Sequence, residues 1–127
     1  MQNIKKEKMM KEIVFFNQGK KFSVKVKDCN IFWKGVGLMF SRREKAKILL
    51  FNFKKKTNIA IHSFFVFFPF AAFWLNEKNE VVDSKIVKPF TSCVFPREKT
   101  LMLIEIPINK NNKKFLKNLL PVVTVDN

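Results

Sequence analysis

The sequence predicts an α+β fold that is mostly β: a small compact antiparallel or mixed sheet, or a partial barrel, with one or two helices. Three observations support this prediction. Apolar and polar residues alternate in short segments, as they do in half-buried strands. Sixteen phenylalanines occur among the 127 residues, and phenylalanine favours strands. Turn-forming sequences containing asparagine separate the apolar segments.

The first predicted unit is a β-hairpin. An apolar run at residues 13–16 precedes the turn sequence Asn17-Gln18-Gly19, and apolar residues then alternate with lysines over residues 22–27. Asp28 or Asn30 provides a cap for a helix that begins near Ile31 and ends within residues 37–40. A strand at residues 48–53 and a turn at residues 54–58 follow.

The most apolar segment of the chain is IAIHSFFVFFPFAAFWL, residues 59–75. Proline is excluded from central strands, so Pro69 divides the segment into predicted strands at about 59–67 and 71–75. Residues 76–79 form a turn, and residues 81–87 return as the second arm of a hairpin. We therefore expect the segment to be buried in a β-rich core.

The same segment also permits a single membrane span. It approaches the length of about 20 apolar residues that a spanning helix needs, and three lysines precede it. Pro69 in mid-helix and the polar pair His62 and Ser63 argue against a lone span. A soluble core is therefore favoured, and a single-span membrane protein is kept as an alternative.

The C-terminal third of the chain contains one further strand and one helix. Residues 88–99 form a surface connection with two prolines, and residues 100–107, TLMLIEIP, form a strand. Apolar residues at 115, 116, 119 and 120 predict a helix that Pro121 ends. The tail VVTVDN is a candidate edge strand.

The length of the chain predicts one domain at residues 12–127, preceded by a flexible lead-in at residues 1–11. The N-terminal sequence lacks the apolar segment of a cleaved signal peptide. The cysteines, Cys29 and Cys93, are expected to be buried free thiols in a reducing cytoplasm, with a disulfide in an exporting compartment as the alternative. The predicted localisation is cytoplasmic.

Several short segments, taken in their order along the chain, carry a family resemblance. They are Gly37-Leu38-Met39-Phe40, Ile61-His62-Ser63-Phe64-Phe65-Val66, Phe68-Pro69, Ala72 to Leu75, Val81-Val82 and Leu103-Ile104-Glu105-Ile106-Pro107. Together, over roughly residues 12–107, they resemble the prokaryotic family called domain of unknown function 192. The resemblance implies a compact, mainly β domain that usually stands alone and has no agreed activity, cofactor or catalytic residue.

The chain departs from the family pattern at three places. The arginine that usually follows the Gly-Leu-Met-aromatic motif is replaced by Ser41, with Arg42 one position later. Ala71 stands where the family often has an aspartate, and Ile108 where it often has a glycine. These departures put in doubt any polar family site built from that aspartate and arginine.

The net charge of +15 has two interpretations. A charge this large attracts polyanions such as nucleic acid. Alternatively, Lys, Asn, Ile and Phe are all frequent, as in genomes poor in G and C, and lysine is then the default surface residue. The second interpretation is favoured because the basic residues are scattered in short groups along the chain.

No catalytic, metal-binding or cofactor-binding constellation is predicted. His62, Cys29 and Cys93 lack the spacing of metal ligands, and Ser63 or Cys93 paired with His62 is an unsupported nucleophile arrangement. Glu105 interrupts an apolar strand, and a buried carboxylate normally has a partner. Arg42 or Arg43 is the expected partner, in a structural pair. The candidate polar cluster is Arg42, Arg43, His62 and Glu105.

The predicted function is a noncatalytic ligand-binding or interaction module, with an unknown ligand or protein partner. The alternatives are a basic polyanion-binding or RNA-binding protein, with nonspecific nucleic acid as the candidate partner, and the single-span membrane protein.

Overall fold

The structure, a computed structural model, describes residues 10–29, 38–58 and 60–120. Its elements, in chain order, are β1 (Met10–Asn17), β2 (Lys20–Cys29), β3 (Leu49–Thr57), β4 (Phe70–Leu75), β5 (Val81–Val87), β6 (Thr100–Pro107) and the helix α1 (Lys113–Leu119). The six strands form one sheet in the order β1-β2-β3-β6-β4-β5. The β2–β3 pair is parallel and the other pairs are antiparallel. The mostly-β, α+β prediction with a mixed sheet is confirmed.

The sheet curls so that its two edges meet at one end. The backbone N–H of Phe16, on the edge strand β1, donates a hydrogen bond of 2.8 Å to the carbonyl oxygen of Asn79, in the turn between β4 and β5. The Asn79 side-chain amide donates to the carbonyl of Val14 at 2.9 Å. Because β1 and β5 are the two edges of the sheet, these contacts make it a partial barrel.

The inner face of the partial barrel holds one hydrophobic core. Its fully buried members include Phe15, Leu50, Phe73 and Ile104. The helix α1 contributes Leu116 and Leu119 to the same core and so covers one end of the barrel.

The outer face of the central strands holds a second core. Phe51, Trp74 and Leu103 lie on this face. Three connecting segments, residues 38–48, 60–69 and 88–99, contribute further buried side chains to it, namely Leu38, Ile61, Val66, Phe68 and the partly buried Val94. The connections are therefore packed onto the sheet as a covering layer.

Both hairpins predicted from the sequence are confirmed, β1–β2 around Gln18 and Gly19 and β4–β5 around residues 76–79. The strand predicted at residues 100–107 has the bounds of β6. The strand β1 begins at Met10, within the predicted lead-in, and the rest of the lead-in, residues 1–9, lies outside the described residues.

The strand predicted at about residues 59–67 is wrong in its described part. Residues 60–69 are a connection with one isolated bridge, between Ile61 and Val94, and a turn at Phe64 and Phe65. Phe65 has a φ of 60°, which breaks an extended conformation. The next strand, β4, begins at Phe70, directly after Pro69.

The turn predicted at residues 54–58 is also wrong, since β3 continues to Thr57. Lys54 has a φ of 65° within a register shift between β3 and β6, so a bulge carries the strand through the lysines. Most of the predicted helix near Ile31 and all of the predicted tail strand, residues 122–127, lie outside the described residues. Leu38 to Phe40 form a bend and turn.

In its described part, the segment predicted either to span a membrane or to enter the core consists of a connection followed by β4. None of the described helices combines the length and apolar character needed to cross a membrane. Both thiols are free; Cys29 is partly buried, whereas Cys93 is exposed, contrary to the prediction that both are buried. Burial raises the pKa of the Cys29 thiol to about 11.

Candidate functional site

The four residues of the predicted polar cluster are not joined in the structure. Arg42 is exposed, and the Arg43 guanidinium donates from Nε to the carbonyl of Ile108 at 2.8 Å. The imidazole Nδ1 of His62 accepts a hydrogen bond from the backbone N–H of Phe64 at 3.2 Å. Among the described residues, no hydrogen bond or ion pair connects Glu105 to an arginine or to His62.

Glu105 lies in the middle of the sheet. It pairs with Leu49 of β3 on one side and Ala72 of β4 on the other, so its side chain enters the outer-face core. Burial raises the pKa of this carboxyl from 4.5 to about 8. The group is therefore held in its neutral form near pH 7.

Ser63 organises the connections over the outer face. Its hydroxyl donates to the carbonyl of Lys88 and accepts from the N–H of Thr91, both at 2.6 Å. Its carbonyl accepts from the N–H of Phe90 at 2.9 Å. Because the buried hydroxyl is occupied as both donor and acceptor, Ser63 ties residues 60–69 to residues 88–94 and has a structural role.

Four phenylalanines extend from these connections into solvent, and we call them the phenylalanine surface: Phe40, Phe65, Phe67 and Phe90. Their exposed fractions are 67%, 47%, 61% and 49%. Phe40 and Phe65 are stacked with ring centroids 5.2 Å apart, and Phe90 makes edge contacts with both Phe65 and Phe67. The rings form one continuous exposed cluster.

The backbone of this surface is strained. Phe40, Phe65 and Phe90 have φ values of 60°, 60° and 57°, a left-handed conformation that costs a bulky residue roughly 1–2 kcal/mol. Hydrogen bonds across the chain hold it: the N–H of Phe40 donates to the carbonyl of Phe65 at 2.9 Å, and that of Phe90 donates to Ser63. The fold therefore maintains an unfavourable backbone conformation where it presents these rings to water.

The three segments that carry the phenylalanine surface contain basic residues and no carboxylate, and the exposed Glu44 directly follows the first of them. Residues 38–43, 60–69 and 88–95 contain Arg42, Arg43, Lys88 and His62, and no aspartate or glutamate. Arg42 and Lys88 are exposed. An anionic partner would meet no carboxylate within these three segments.

Sequence reasoning missed this surface because it assigned the whole of residues 59–75 to a buried sheet. Val66 and Phe68 are buried, as that assignment requires, but they alternate with the exposed Phe65 and Phe67. The sequence offered no signal that separates the exposed rings from the buried ones, because the run is apolar throughout and its last part, β4, is buried on both faces.

Metal ligands are likewise not gathered at this surface. In the described part of the chain, no group of three or more histidine, cysteine, aspartate or glutamate side chains is placed to hold a metal ion. The features that the described surface offers to a partner are therefore aromatic rings and positive charge.

No family model and no curated protein matches the chain. Two solved structures are similar to it. A "putative transcription regulator" from Sinorhizobium meliloti 1021 has a TM-score of 0.68 at 13% identity, covering 84% of this chain and 85% of that one. A protein of unknown function from Novosphingobium aromaticivorans DSM 12444 has a TM-score of 0.64 at 12% identity, covering 81% of this chain and 75% of that one. At these identities, the likeness shows that the chain shares their fold.

Proposed function

We propose that this chain is a noncatalytic binding module and that its partner binds the phenylalanine surface. The observation that carries the proposal is the cluster of four exposed rings, three of them on left-handed backbone. Large exposed apolar patches mark interaction sites in soluble proteins. Strained backbone that the surrounding fold maintains is likewise found mainly at functional sites.

We also propose that the chain is a member of the domain of unknown function 192 family. Two of the segments that carry the resemblance lie on neighbouring central strands: Ala72 to Leu75 is in β4, and Leu103 to Pro107 is in β6. The departure at Ala71 is buried in the inner core. Glu105 lies on the other face, so the two positions do not contribute to one polar site.

The proposed binding surface is tested by site-specific photo-crosslinking in cells. A benzophenone amino acid replaces Phe67, which is 61% exposed, and in a matched control it replaces the exposed Lys78, in the turn between β4 and β5. We expect discrete crosslinked products from position 67 that disappear when Phe40 is also changed to Ser. Equal products from both positions, or none from position 67, would contradict the proposal.

Polyanion binding by lysines is a second candidate function. The helix α1 has no acidic residue in its first turn, and its lysines, Lys113, Lys114 and Lys117, are exposed beside the exposed Lys110. Such a cluster attracts phosphate and sulfate groups without discriminating between them, and the affinity of the cluster falls steeply as the salt concentration rises. We expect the chain to elute from heparin only at high salt. Changing these lysines to Gln should lower the salt concentration at which it elutes. An unchanged elution position would contradict this second function.

A further inference from the structure

We propose that the partner of the phenylalanine surface is single-stranded nucleic acid, whose bases stack on Phe40 and Phe67. This inference rests on the proposed function, and it adds the chemical class of the partner. Proteins that bind single strands combine aromatic side chains, on which bases stack, with positive charge along the backbone path. The described surface has both features.

The ring geometry provides places for bases. Phe40 lies against Phe65 with an interplanar angle of 21° and remains 67% exposed, so its outer side can continue the stack with a planar base. Phe67 lies at 71° to Phe90, with its centroid 5.2 Å away, and is 61% exposed. The surface therefore offers two separate rings on which bases of one strand can stack.

The charge distribution matches a phosphate backbone. Arg42 follows Phe40 by two residues, and Lys88 precedes Phe90 by two, so each pair of cation and ring is part of one short segment. The Arg43 loop is fixed to the end of β6, because Arg43 Nε donates to the carbonyl of Ile108 and the Asn109 amide donates to the carbonyl of Arg43, both at 2.8 Å. Phosphates would thus approach exposed cations that lie two residues from the rings in the chain.

The need for a planar ring face distinguishes nucleic acid from the other partners that an apolar surface attracts. A lipid surface or a hydrophobic peptide gains from any apolar side chain of similar size, whereas a base needs the planar face of an aromatic ring. Replacing phenylalanine by leucine keeps the apolar character and removes the flat face. The Phe→Leu substitution is therefore the decisive variant.

The experiment measures binding of the full-length chain by fluorescence anisotropy. The probes are a labelled oligothymidylate of about 12 nucleotides, within the site sizes of single-strand binders, and an abasic strand of equal length and charge. We expect the strand with bases to bind about tenfold or more tightly than the abasic strand, in keeping with the effect of one or two stacked bases.

Variants then assign the difference to the rings. Phe40→Leu and Phe67→Leu should each reduce the preference for bases about fivefold or more, and Phe40→Trp should retain it. The matched control Lys113→Gln with Lys117→Gln should weaken both probes equally and leave the preference unchanged. Both phenylalanines are largely exposed, and an unchanged thermal unfolding midpoint shows that each variant is folded.

Two results would overturn the inference: equal affinity for the two strands, or a preference for bases that survives both leucine substitutions. Failure of this inference is distinguishable from failure of the proposed function. If crosslinked products from position 67 resist nuclease and contain peptides of a second protein, the surface binds a protein and the nucleic acid is wrong. If position 67 gives no crosslinks, the surface itself is wrong.

Discussion

At the scale of single residues, Glu105 is the unusual group, a carboxyl buried in the central strand of the sheet. Its pKa of about 8 in the folded chain lies above the ordinary 4.5, so the folded chain holds this proton more tightly than the unfolded chain. The free energy of unfolding contributed by this group is therefore largest below pH 4.5 and falls as the pH rises to about 8. The sequence predicts that this carboxyl is buried, and in the described part of the chain no ion pair joins it to Arg42 or Arg43.

Glu105→Gln should remove this pH dependence, because the amide stays neutral. We expect the stability of E105Q relative to the wild type to increase by about 3 kcal/mol between pH 4.5 and pH 7. Urea unfolding at the two pH values measures the difference. The exposed Glu12 provides the matched control, since Glu12→Gln should change the difference by less than about 0.5 kcal/mol. If the stability difference between E105Q and the wild type did not change with pH, the folded chain would have to stabilise the ionised Glu105 carboxylate.

At the scale of elements, β3 contains a bulge at which Lys54 adopts an unfavourable backbone conformation. Lys54 has a φ of 65°, and its N–H donates to the side-chain oxygen of Asn52 at 2.8 Å. The bulge lets the strand pair with β6 on both sides of the irregularity. The sequence predicts a turn at residues 54–58, whereas pairing with β6 continues the strand to Thr57.

Lys54→Gly should stabilise the protein by about 0.5–1 kcal/mol, because glycine adopts a left-handed conformation without steric cost. The neighbouring Lys55, whose φ is not positive, provides the control: Lys55→Gly should destabilise by about 0.5–1 kcal/mol. Urea unfolding midpoints of the two variants should move in opposite directions. Two shifts of the same sign would show that backbone strain at Lys54 is not significant.

The connection over the outer face depends on Ser63, which joins two segments that the chain separates by 25 residues or more. Ser63→Ala should lower the free energy of unfolding by about 2 kcal/mol, because it leaves the partly buried N–H of Thr91 without its acceptor and removes one of the two donors to the Lys88 carbonyl. Thr91→Val, which removes a more exposed hydrogen bond to the same Lys88 carbonyl, should cost less than about 1 kcal/mol. Equal losses in the two variants, measured by urea unfolding, would contradict a central role for Ser63.

At the scale of the whole molecule, the partial barrel depends on the contact between its two edges. Asn79, with a φ of 61°, supplies both the backbone carbonyl that accepts from Phe16 and the side chain that bonds Val14. Edge strands left open invite pairing with other chains. The contact at this turn protects one end of each edge strand from pairing with another chain.

Substitutions at Asn79 should separate closure from strain. Asn79→Ala loses the bond to Val14 and keeps a strained φ, and we expect a loss of about 2 kcal/mol. Asn79→Gly loses the same bond without strain and should cost about 1 kcal/mol. In both variants, amide hydrogen exchange at Phe16 should accelerate. Unchanged exchange there would mean that the edges stay closed without this side chain.

Local patterns in the sequence were sufficient for the hairpins, for β6 and for the helix α1. Alternation with a period of two, a turn sequence between two apolar arms and a helical stripe ended by proline all act over a few residues. The mostly-β class follows from them. The order of the strands, with β6 between β3 and β4, is a property of distant pairing, and no local pattern specifies it.

The sequence by itself determined where most strands lie, that the chain is strongly basic and that Glu105 interrupts an apolar strand. Only the tertiary structure decided that Phe40, Phe65 and Phe67 face water and that Glu105 forms no ion pair with the arginines of the predicted cluster. The physical reason is the same in each case. Exposure, pairing and left-handed backbone depend on hydrogen bonds and packing between segments far apart in the chain, such as that between Phe40 and Phe65.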